Sequence, residues 1–201
     1  MKQDSWEYAR KSFEIESEAI QKALDHIDKA SFEKAVDSLA GASRIAASGC
    51  GHSGIACRHF AHSMCCIELP ARFISPSEAL HGASGFIQKD DVVVLASRGG
   101  KTSELIPLLE ICRHKQSVVI AITENMESPL AMGADIVLKM KVERESDKYN
   151  SQGTSSFVVM SAIFDALQAA LIEETGFQNE QFAIIHPGGA VGESLNSLDK
   201  I

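Results

Sequence analysis

The alternation of apolar and polar positions changes rhythm once along the 201-residue chain, near residue 40. In the first 30 residues, which hold neither Gly nor Pro, Trp6, Ala9, Phe13, Ile20, Leu24 and Ile27 recur at threes, fours and sevens among charges. That spacing predicts an exposed amphipathic helix. Ser31 reads as the N-cap of a second helix carrying Phe32, Ala35 and Leu39. Residues 1–40 are therefore expected to form a helical arm, either packed on its own domain or used for oligomerisation.

From Arg44 onward short apolar runs alternate with helix-length stretches. The runs are 44–48, 71–75, 91–97, 117–123 and 135–140; those around Val92–Ala96 and Val118–Ile122 are continuous rather than alternating, as in parallel strands covered on both faces. Helices are expected over 53–66, 102–114, 128–132 and 155–174, the last stopping before Gly176. Strand, helix, strand in strict order predicts a three-layer α/β/α sandwich with right-handed crossovers over residues 41–201. Ligands of such a sheet bind at the strand-to-helix turns beyond the carboxyl ends of the strands.

Those turns carry the specific chemistry. The first reads Gly49-Cys50-Gly51-His52-Ser53-Gly54, a match to the dinucleotide fingerprint. The second run, however, ends Phe73-Ile74-Ser75-Pro76 without the carboxylate that would take the ribose hydroxyls, which argues against a nicotinamide dehydrogenase. Gly51 and Ser53 still offer close backbone approach and helix N–H groups to an anion. The third run ends Ser97-Arg98-Gly99-Gly100-Lys101-Thr102-Ser103-Glu104. It imitates a P-loop, but Leu95 stands where that motif needs Gly. Ser97, Gly99, Gly100, Lys101 and Thr102, with the cation of Arg98, read instead as a cradle for one phosphate dianion. A third cluster, Ser151-Gln152-Gly153-Thr154-Ser155-Ser156, has more hydroxyls than capping needs, so Thr154 and Ser155 join the candidate ligand-binding set.

Composition narrows the classes. A chain with 45% hydrophobic and 23% charged residues is globular. Its net charge of −8 opposes a nucleic-acid partner. No apolar run is expected to reach the ~20 residues that cross a bilayer, and the charged start is no signal peptide. Five cysteines, two of them adjacent, read as reduced thiols of a cytoplasmic protein.

These clusters, with His81-Gly82 and the closing Phe182-Ala183-Ile184-Ile185-His186-Pro187-Gly188-Gly189-Ala190-Val191-Gly192, resemble the sugar isomerase (SIS) domain family, within it the arabinose-5-phosphate isomerase type. Pro76-Ser77-Glu78-Ala79-Leu80-His81-Gly82 and Val142-Glu143-Arg144-Glu145 support the likeness. It implies a five-stranded parallel sheet, a dimer or tetramer, and aldose–ketose conversion of a sugar phosphate with no cofactor. Longer members carry paired CBS modules, and this chain is expected to be the SIS domain alone. By position the family's active-site residues fall on His52, His81, Glu104, Glu145 and His186, His52 replacing the usual Lys. The family's Cys-Pro and Ala-Pro after the second glutamate are missing.

Moving a proton between adjacent carbons through an enediol needs a carboxylate base, an acid near the oxygens and a remote phosphate anchor. Glu145 is the expected carbon base and His186, which in related isomerases can come from a neighbouring subunit, the group for ring opening or oxygen protonation. Glu104 and His81 would orient hydroxyls. The alternatives are a non-catalytic sugar-phosphate sensor and, for His59, His62 and Cys66 on one helix face, a metal site. No metal is expected, and no membrane partner.

Overall fold

Continuous apolar strands need cover on both faces, and the chain supplies it from two sets of helices. The computed structural model describes residues 4–198. Five strands, β1 (Ile45–Gly49), β2 (Ala71–Phe73), β3 (Val92–Ala96), β4 (Val118–Thr123) and β5 (Ile136–Lys139), form one sheet in the order β2-β1-β3-β4-β5. Every pairing is parallel, and β1 and β3 run in register from Ile45 against Val92 to Gly49 against Ala96. The expected three-layer sandwich is the fold.

Helices α1 (Ser5–Ala23), α2 (Lys29–Ala40), α3 (Gly51–Cys66) and α7 (Ser155–Thr175) pack together on one side, and α4 (Pro76–Leu80), α5 (Ile106–Lys115) and α6 (Pro129–Gly133) serve the other. Phe60 of α3 and Phe164 of α7, both fully buried, stack with ring centroids 4.6 Å apart at the centre of the first core. Cys57 lies in that core and Cys112 in the second; all five cysteines are free.

Several boundaries differ from the sequence expectation. Asp28, not Ser31, caps α2, its carboxylate accepting from the Ser31 amide at 2.8 Å. Helix α3 starts at Gly51, two residues early, and α5 starts at Ile106, because residues 102–105 stay in turns. The short α4, the 3-10 turn Ala83–Phe86, and the closing helices α8 (Asn179–Ile185) and α9 (Gly189–Leu198) have no counterpart in the sequence expectation. Helix α7 is long and apolar enough, by length and composition, to cross a membrane, contrary to the expectation of no such run. Here it is a core helix that buries Val159, Met160, Ile163, Phe164, Leu167 and Leu171.

The arm turns the large residues of its predicted stripe outward as far as Leu24, while Ile27 packs on the first core. Trp6, Phe13 and Leu24 are 65%, 78% and 75% exposed. The face of α1 that meets the domain takes only Ala9 from the stripe and is otherwise Ser12, Ile15, Glu16, Ala19 and Ala23.

Candidate functional site

The pairing of Gly49 with Ala96 sets the ends of β1 and β3 side by side, so the first and third turns are neighbours. In this strand order the sheet reverses its winding between those two strands, the position where a crevice forms. Two glycines keep the turns tight. A Cβ on Gly54 would lie 2.5 Å from the Gly49 carbonyl oxygen, so the first turn of α3 sits directly on the tip of β1. Gly100 has φ of 64°, and a Cβ there would collide with the Ser128 hydroxyl.

The β3 turn is shaped by its own hydrogen bonds. The Ser97 and Thr102 hydroxyls are 2.8 Å apart, and the Gly100 amide donates to the Ser97 hydroxyl at 3.1 Å. The turn is fastened to the neighbouring β4 turn as well: the Thr123 hydroxyl and the Glu124 amide both donate to the Arg98 carbonyl. Lys101 is exposed at its tip. Arg98 is not a cradle cation as expected: its Nε donates to Glu124 at 2.8 Å and one terminal nitrogen to Glu145 at 2.5 Å.

Beside these turns a cleft of about 430 Å³ is walled by Gly49, Cys50, Gly51, Gly54, Ile55, Arg58, Phe73, Ser75, Pro76, Ser77 and Glu104. Of these only Gly51 and Glu104 are among the site residues that sequence reasoning selects; the polar side chains of Cys50, Arg58, Ser75 and Ser77 and the ring of Phe73 are new to the site. The Arg58 guanidinium carbon lies 3.9 Å from the centroid of the Phe73 ring, a cation–π stack that leaves its N–H edges for a ligand. Its position seven residues after Gly51 puts Arg58 two turns along the same helix face, a signal the sequence did contain. Glu104 is exposed, and the Ser103 hydroxyl, donating at 2.8 Å, holds its carboxyl below the ordinary value. Burial, with Glu104's charge, pushes the Cys50 thiol up.

Glu145 behaves otherwise. Its charged neighbours suggest solvated surface, yet it is 3% exposed. One carboxylate oxygen faces Arg98; the other accepts from the Thr154 amide at 2.9 Å, the Thr154 hydroxyl at 3.2 Å and the Ser156 amide at 3.1 Å. Burial works to raise its pKa, but the Ser156 and Thr154 hydrogen bonds and the Arg98 charge outweigh it and hold the carboxyl below the usual range. The N-terminus of α7 is thus occupied by an internal anion. Thr154 is committed to Glu145, and Ser155 is fully buried, so neither contributes to the cleft wall.

The histidines are dispersed. His52 directs its ring to the first turn of α7, 6.1 Å from the Phe157 ring, where Gly153 makes room for it. His81 closes α4, exposed, with Gly82 behind it at φ of 109°. His186 joins α8 to α9 with its ring against Phe182 at 4.9 Å. Phe182 lies beside Cys66, Ile67 and Ile172, at the far ends of α3 and α7. A 21-residue helix spans about 30 Å, so within one chain His186 stands at the other end of the sheet from the turns. The suspected metal face resolves into two pairs, His59 with Asp165 at 2.8 Å and His62 with Cys66 at 3.6 Å. Among the described residues no three such groups converge.

Comparison with known proteins places this geometry. The SIS domain family profile matches residues 38–170. The arabinose 5-phosphate isomerase KdsD of Pseudomonas aeruginosa is 38% identical over 93% of this chain and 57% of its own length. KdsD of Francisella tularensis is 35% identical over 93% of this chain and 58% of its length. The chain therefore spans under two thirds of these relatives. A Listeria monocytogenes crystal structure, assigned as a sugar-phosphate isomerase, superposes with a TM-score of 0.91 at 37% identity, covering 94% of this chain and 99% of that one. An Escherichia coli CFT073 protein solved in complex with arabinose 5-phosphate gives 0.83 at 27% identity over 93% and 100% of the two chains.

Proposed function

The chain belongs to the SIS domain family, and from that premise we propose that it interconverts the aldose and ketose forms of a phosphorylated sugar through an enediol, as an arabinose-5-phosphate isomerase type of enzyme. One observation carries the reading: the β1 and β3 turns lie side by side, and a cleft of sugar-phosphate size is walled by the β1 turn with the carboxylate of Glu104, which follows the β3 turn, facing it. The identity to two arabinose 5-phosphate isomerases over most of the chain supports it.

In this reading the phosphate rests on the β3 turn and on the α3 N-terminus, held by Ser97, Gly99, Gly100, Lys101 and Thr102 with Gly51 and Ser53. The role of carbon base passes here from Glu145 to Glu104. Glu145 has both oxygens occupied by protein donors, so taking a proton from carbon would require it to give up Arg98 or the α7 amides. Glu104 stands in the cleft with its carboxylate exposed and is the better carbon base. It removes the proton from carbon 2 of the aldose and returns it to carbon 1, while an imidazole passes a proton between the two oxygens. His186 supplies that imidazole from a second copy of the chain, since its own turns lie at the far end of α7. Residues 1–40 act as an arm on the SIS domain of residues 41–201.

Incubation in deuterated water with phosphorylated sugars of about five to seven carbons, followed by NMR, tests the reading. Deuterium should enter carbon 1 or 2. Glu104→Gln should lower incorporation by about 10²- to 10⁴-fold while inorganic phosphate still binds, and Ser97→Ala should weaken phosphate binding about threefold to tenfold. Ligand-induced stabilisation with no isotope entering carbon would instead make the protein a sensor.

A further inference from the structure

Helix α1 meets the rest of the molecule in a way its outward apolar stripe does not explain. Tyr8, Ser12 and Glu16 are spaced four apart, hence aligned on one face of the helix, and that face touches the loop that carries Glu145. The Ser12 hydroxyl donates to the Ser146 hydroxyl at 2.8 Å, and the Ser146 hydroxyl donates to Glu16 at 2.6 Å. One turn earlier, the Lys148 ammonium stands 5.9 Å from the centre of the Tyr8 ring. The partners in the two hydrogen bonds are more than 100 residues apart in sequence, and Ser146 is 9% exposed, so this is a built contact rather than a surface encounter.

From Ser146 the chain of contacts runs inward without a gap. The Ser146 amide donates to the Thr154 hydroxyl at 2.8 Å, that hydroxyl donates to Glu145, and Glu145 takes the guanidinium of Arg98. Arg98 is the second residue of the β3 turn, next to Ser97. A hydrogen-bonded network of this kind transmits a displacement because each member has few other places to go.

We infer that Glu16 and Ser12 are positioning residues: through Ser146 and Glu145 the N-terminal helix holds Arg98 and, with it, the turn proposed to cradle the substrate's phosphate. The inference rests on that phosphate assignment. It gives the arm a role within its own chain, separate from any contact with a second copy. Its effect falls on the anchor and not on the proton transfer, so it enters affinity.

The experiment uses the full chain with inorganic phosphate as the probe. Glu16→Ala and Ser146→Ala should each raise the phosphate Kd, and the KM for the sugar phosphate, about threefold to tenfold, with kcat held within about twofold. Glu16→Gln keeps an oxygen to accept from Ser146 and should recover most of the loss. The double variant Glu16→Ala/Ser146→Ala should be no weaker than either single one, because both break the same link. A merely structural arm would lower thermal stability in the alanine variants and leave Kd, KM and the Gln rescue unmoved, which overturns the inference. Equal and additive losses in both variants would overturn it too. Failure of the underlying assignment looks different: the wild-type protein would bind no phosphate, or Ser97→Ala would leave its Kd unchanged.

Discussion

Glu145 shows how little of a side chain's state its sequence neighbours reveal. It lies in a run of charges, Lys141, Glu143, Arg144, Asp147 and Lys148, whose ordinary reading is a solvated face. What buries it is Arg98, 47 positions away, and the amides opening α7. No local pattern reports either. The glycine turns were legible for the opposite reason, since their chemistry is contiguous in sequence. The lowered pKa makes a prediction. A carboxyl depressed in the folded state stabilises the protein above its unfolded value of about 4.3, and that contribution is lost as pH falls through the folded value. Wild-type stability should therefore fall below about pH 4.3, and the gap between wild type and Glu145→Gln in urea midpoint should narrow on acidification. A gap that stays constant with pH would assign the loss to packing instead.

At the scale of elements, the sequence is readable where hydrophobicity is unbroken. The strands β1, β3 and β4 are buried along nearly their whole length because helices cover both faces, and each overlaps its expected run. Reading fails where an element is short or is set by contacts elsewhere. α4, a turn and a half opening at Pro76, is such an element, whereas the edge strand β2, only three residues long and partly exposed, still falls inside its expected run 71–75. The closing α9 begins at Gly189 among small residues, a stretch that propensity reads as a turn. The outward stripe of α1 was visible, but not which face would meet the domain: the buried side is mostly small or polar, with Ile15 its one large apolar residue. Among the helices, α3 and α7 make the most extensive contact. Phe164 is fully buried against Phe60, so Phe164→Ala should cost about 3–5 kcal/mol. A chemical denaturation curve checks this. A loss under about 1 kcal/mol would mean that the two helices can close over the gap.

On the scale of the whole molecule, one chain does not bring its candidate residues together. Glu104 lies at the carboxyl edge of the sheet and His186 beyond the far end of α7. If the proposed isomerase takes His186 from a second copy, two inactive variants should repair each other. Mixed and re-equilibrated, Glu104→Gln and His186→Ala chains would assemble some sites that hold both native groups. For a random dimer about one quarter of the wild-type activity returns. No recovery, in mixtures shown by mass to contain both chains in one oligomer, would assign His186 to its own subunit.

The order of layers along the chain has a consequence for biosynthesis. Every strand precedes α7, and α7 is the helix that closes one face of the sheet against α1, α2 and α3. While the ribosome is still translating, that face carries α2 and α3 but is not closed until residue 175 has cleared the exit tunnel. A greasy helix of 21 residues is then the piece that completes this core. The nascent chain is at its stickiest just before α7 emerges, which makes this the stage for chaperone capture.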